Sequence, residues 1–157
     1  MSMISGVPGP SDGERGLVLA LAAIAVIGAL TSHLVLAHLD VFPATWTMRL
    51  WTVFAGGAAL PVAAWILREQ IGHAGWEGAM RTGIALCAAV PLAGLIGGTL
   101  MLPMHGTMFG PLAVAMTLVA HPALAALWAL AFAGTHMTAM AWRDERDSIF
   151  RVSLPRA

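Results

Sequence analysis

The segment Met101-Leu102-Pro103-Met104-His105-Gly106-Thr107-Met108 gathers three thioethers and an imidazole within eight residues. Met101, Met104, His105 and Met108 stand at i, i+3, i+4 and i+7, which is one face of an unbroken helix. Pro103 and Gly106 oppose an unbroken helix, so a compact turn is the other way to bring the four together. Thioether and imidazole together suit copper, and the softer Met favours Cu(I). His38, close by in depth, is a further candidate ligand. The competing reading is that these methionines simply fill apolar gaps.

His33 and His121 suggest a second chemistry. Both lie in apolar surroundings, and two imidazoles from different helices can hold a b-type haem between them. His38 cannot share the face of His33, because five residues at about 100° each leave them ~140° apart. The competing account is a hydrogen bond between helices, with Thr31, Ser32 and Thr117 as available partners. His136 falls near the far end of the last apolar stretch, and His73 falls in a loop, where solvent should surround it.

Other signatures are missing. The lone Cys87 excludes an internal disulfide and a Cys-based zinc site, and its apolar run predicts a packed side chain. No GxSxG elbow, phosphate loop, HExxH motif or dinucleotide fingerprint occurs. The apolar stretches contain no carboxylate, which a cation-coupled transporter usually carries, so a small-solute transporter ranks third among the readings.

The elements that must position these residues follow from the scarcity of charge. Of 157 residues, 59% are hydrophobic and 10% are charged, and mean hydropathy is +0.81. A soluble domain has about 25% charged residues. The chain has too much apolar surface to hide from water, which excludes a soluble globular protein and a disordered chain. Eight Arg balance eight acids, so no nucleic-acid partner is expected.

The charges bracket the stretches. A membrane crossing takes about 20 residues, and the spacing predicts spans over 16–38, 49–67, 83–102 and 111–142. Residues 1–15 read as a flexible tail and 143–157 as a cytoplasmic one. The first span exceeds the apolar core of a signal peptide and is expected to persist as a helix. Gly94 and Gly98 form a GxxxG pair that lets another helix approach closely. The last stretch is too long for one crossing, so 107–119 should project, lie on the surface or tilt, with a kink at Pro122.

The expected fold is therefore all-α, an integral membrane four-helix bundle with both termini on one side. Seven Arg fall on that side and only Arg49 on the other, which makes the termini cytoplasmic by the positive-inside rule. Trp46 and Trp51 then mark the outer interface, and Trp65, Trp76 and Trp142 the inner one. Four of the six His fall in the outer half. The expected location is the bacterial inner membrane, with the lipid bilayer and either other membrane subunits or further copies of the chain as partners. Small size, few polar groups and no catalytic signature predict a non-catalytic accessory subunit or assembly factor of a larger inner-membrane complex. A copper- or haem-binding membrane module is the alternative.

Overall fold

The computed structural model describes residues 11–40 and 45–151, with side chains up to residue 148. It is all-helical: α1 Asp12–Leu39, α2 Trp46–Ile66, a 3₁₀ turn Arg68–Gln70, α3 Gly75–Met101, α4 His105–Ala120 and α5 Pro122–Arg151. Four helices, α1, α2, α3 and α5, are long and apolar enough to cross a membrane. The chain is thus a multi-pass membrane protein.

The expected span at 111–142 is two helices rather than one. Pro122 lacks an N–H and disfavours the helical conformation of the residue before it. His121 accordingly leaves the helix at φ −125°, ψ 79°, and α5 starts afresh at Pro122. The 16 residues of α4 extend about 24 Å, too short to span ~30 Å of hydrocarbon. Instead of projecting, this segment folds back onto α3.

Helix extends into both segments that flank the apolar stretches, from Asp12 at one end and to Arg151 at the other. Ser11 accepts from the Glu14 N–H and Glu14 accepts from the Ser11 N–H, a capping box that starts α1 within the predicted tail. Residues 1–10 of that tail, and 152–157 of the other, lie outside the described residues. Helix α3 starts at Gly75 rather than near 83, with Glu77 and Arg81 paired one turn apart in its first turns.

Helices α1 and α5 run antiparallel along their lengths. Glu145 accepts from Ser11 Oγ (2.9 Å) and from the Gly13 N–H (3.1 Å) at one end, and His38 meets His121 at the other. The end where α1 begins and α5 ends is Arg-rich, carrying Arg68, Arg143 and Arg146.

Glycines set how closely the helices approach. A Cβ on Gly28 would overlap the Gly56 carbonyl, so α1 and α2 touch backbone to backbone. Gly94 and Gly98 of α3 face Gly110 and Gly106 of α4 in the same manner, and the α4 pair is itself a GxxxG. Without Cβ atoms the backbones gain van der Waals contact, the force that matters where lipid is as apolar as the helices.

Between these crossings lies a core of Ile24, Leu60, Ala85, Ala89, Trp128 and Phe132 with their neighbours. The buried polar residues among those described are all Thr: Thr31, Thr52, Thr82, Thr117 and Thr135. Each donates to the carbonyl four residues earlier, at 2.7–3.0 Å, so its hydroxyl needs no water.

Candidate functional site

The ring that His121 meets is His38, not His33. The His38 and His121 centroids are 6.3 Å apart with planes at 79°. The geometry follows from the elements. His38 sits in the last turn of α1, while Pro122 ends α4 and leaves His121 between two helices. The His121 carbonyl caps the new helix by accepting from the Leu124 and Ala125 N–H groups. His121 is half-buried and His38 is exposed. Imidazole nitrogens are common ligands of transition metals, so two rings this close are candidate ligands. Among the described residues no group of three or more His, Cys, Asp or Glu surrounds the pair.

His33 is exposed and lies around the helix from His38. Inside the bundle a cavity of about 60 Å³ is lined by Thr31, Ser32, Thr52, Met101, Trp128 and several glycines. That is room for a few waters. The structure does not bring His33 and His121 together as a pair of haem ligands: His33 turns outward, and the ring beside His121 is that of His38.

The methionine-rich segment forms the turn between α3 and α4. Met101 ends α3 and lines the small cavity. Met104 and Met108 face outward at 79% and 75% exposure, and His105 is exposed as well. The turn breaks the single face that Met101, Met104, His105 and Met108 would share on a continuous helix. Met104 has φ 72°, ψ −65°, and the His105 N–H donates to the Pro103 carbonyl at 3.0 Å. This is a γ-turn of the rare, strained kind. It lets the chain reverse within three residues, so that Gly106 arrives opposite Gly98.

At the Arg-rich end His136 of α5 is held from two sides. Its Nδ1 accepts from the Gly72 N–H (3.1 Å) and lies 2.7 Å from Thr82 Oγ1. With Nδ1 an acceptor, the Thr82 hydroxyl proton has two acceptors within reach, that nitrogen and the Gly78 carbonyl at 3.0 Å. His73 is half-buried rather than solvated: Nε2 lies 2.8 Å from the Glu69 carbonyl and Nδ1 lies 3.3 Å from an Arg143 nitrogen. Cys87 is exposed on α3 instead of packed.

Sequence reading missed the Trp128–Thr31 hydrogen bond, the Gly28/Gly56 crossing and the second GxxxG at Gly106 and Gly110. That last motif was legible in the sequence. It stands in a proline-broken stretch of ambiguous length, where local pattern does not say which helix carries it. Comparison with protein-family models, with curated proteins and with solved structures finds no match for this chain.

Proposed function

We propose that this protein is a non-catalytic membrane subunit or assembly factor, acting through its lipid-facing surfaces on other membrane proteins. The observation that carries this reading is how little of each span is used internally. Only 17% of the apolar window of α1 is buried within the chain, and 39% of that of α2, the highest of the four. The glycine crossings tie the bundle tightly while leaving large apolar side chains outside. Helix α4 presents Met108, Leu112, Met116 and Val119 along one exposed stripe, beside Phe109. Flexible Met side chains adapt to differing partner surfaces. The chain is oriented with the Arg-rich end, and both termini, in the cytoplasm of a bacterial inner membrane, on the Arg asymmetry.

The test is the native mass of the chain extracted in mild detergent. The account expects a particle holding a second membrane protein in fixed stoichiometry, or several copies of the chain. A solitary 16.3 kDa chain from intact membranes would overturn it.

A second reading rests on the His38–His121 pair. We propose that it forms the protein half of a metal site at the end opposite the Arg-rich one, with copper the first candidate, and that a partner supplies the remaining ligands. Metal content that depends on His38 and His121 but not on His33 is its signature.

A further inference from the structure

A second cavity lies at the Arg-rich end, away from the histidine pair. It has a volume of about 500 Å³ and opens between α1, α2 and α5. Its deep wall is apolar, made by Leu17, Leu21, Ala64 and Ala139. Its rim carries Arg68, Arg143 and Arg146, with Trp65 and Trp142 between them. Glu69 and Asp147 also line it, so guanidiniums exceed carboxylates by one.

How these arginines are held matters more than their number. Arg68 lies 4.4 Å above the Trp65 ring and Arg146 lies 4.8 Å above the Trp142 ring. Stacking uses the face of a guanidinium and leaves its in-plane N–H donors free. Among the described residues, none of the three arginines makes an ion pair with a carboxylate. Arg143 meets only an imidazole, that of His73. The N–H fork of a guanidinium matches a phosphate bidentately. Tryptophans sit at headgroup depth, which sets the rim where lipid phosphates lie, with an apolar wall below it.

We propose that this cavity binds one anionic phospholipid: its phosphate on Arg68, Arg143 and Arg146, its glycerol and upper acyl carbons against Leu17, Leu21 and Ala64. Basic pockets between membrane helices take such headgroups. The site is independent of the partner reading above.

The test reconstitutes the full chain into phosphatidylcholine nanodiscs containing a minority of phosphatidylglycerol, then extracts it gently and counts the retained lipid by native mass spectrometry. One phosphatidylglycerol per chain is expected, enriched over phosphatidylcholine by about tenfold or more. R68Q and R146Q together should bring the ratio close to that of the surrounding bilayer, while R81Q, at the exposed partner of Glu77, should leave it unchanged. Excess inorganic phosphate should not displace the lipid. Retention of the two lipids in bilayer proportion by the unaltered chain would overturn the proposal without recourse to any variant. So would an unchanged preference in a folded R68Q/R146Q protein, or full displacement by phosphate, which would make the site one for a free anion.

Discussion

The indole N–H of Trp128 donates to Thr31 Oγ1 at 2.9 Å, with Trp128 2% and Thr31 3% exposed. This bond ties α5 to α1 in the middle of the bundle. Thr31 in turn passes its own proton to the Ile27 carbonyl at 2.7 Å, so the hydroxyl is donor and acceptor at once. Thr31→Val keeps the shape but leaves the indole without an acceptor. Interhelical hydrogen bonds in membranes average ~0.6 kcal/mol, and an unpaired buried donor costs ~1–3 kcal/mol. The expected loss is about 1 kcal/mol in reversible detergent unfolding. Trp128→Phe should cost more through lost packing, and the double variant less than the sum of the two.

The glycine crossings predict a sharp division among glycine-to-alanine variants. A Cβ on Gly98 would overlap the Gly106 carbonyl, and one on Gly106 the Gly98 carbonyl. Gly83 and Gly134 have open space around the same position. G98A and G106A should therefore lower thermal stability and detach α4, read as faster proteolysis between residues 102 and 122. G83A and G134A should be neutral or gain up to ~1 kcal/mol from helix propensity. Similar losses at all four sites would refute the backbone contact.

Met104 holds a γ-turn with positive φ. Such strain costs on the order of 1–3 kcal/mol in a non-glycine residue. M104G should raise the unfolding temperature of the detergent-solubilised protein, because glycine adopts this conformation without a Cβ penalty. A drop would mean that the exposed Met104 side chain stabilises the turn by more than the strain it stores.

The histidine pair makes a separable prediction. Copper titrated onto the purified chain should bind with an affinity that falls at least about tenfold in H38A and in H121A, as loss of one of two ligands implies. H33A should bind as the unaltered chain does. Equal loss in all three variants would point to diffuse surface binding and contradict a site at the pair.

Much of the scaffold was legible from where charge is absent. Arg49, Arg68, Arg81 and Arg143 bracket the apolar stretches, and charge is costly in hydrocarbon, so four long apolar helices follow, though not their ends. The GxxxG at Gly94 and Gly98 announced a close approach but could not name its partner. Any helix with small residues satisfies it, and Gly106 and Gly110 are brought opposite only by the turn at Met104. The long stretch 107–142 was ambiguous because length alone cannot tell a tilted helix from two helices. Pro122 decides in favour of two, by driving His121 out of helical geometry. At the candidate site, helical phase puts His33 and His38 on different faces of α1. Which of the two meets His121 depends on how α5 lies against α1, a tertiary fact with no trace in local pattern. The Arg68, Arg143 and Arg146 rim is likewise absent from local pattern, since its residues come from segments distant in sequence.

The central claim is that the outward faces of this bundle contact other protein. Photo-crosslinking in intact membranes tests it most directly, with a benzophenone side chain placed singly at Val18, Phe54, Ile84 and Leu112, all exposed on α1, α2, α3 and α4. The account predicts a discrete protein adduct of reproducible mass from at least one position, absent without irradiation. If all four positions return only the monomer or lipid adducts, the faces meet lipid alone and the subunit reading is contradicted.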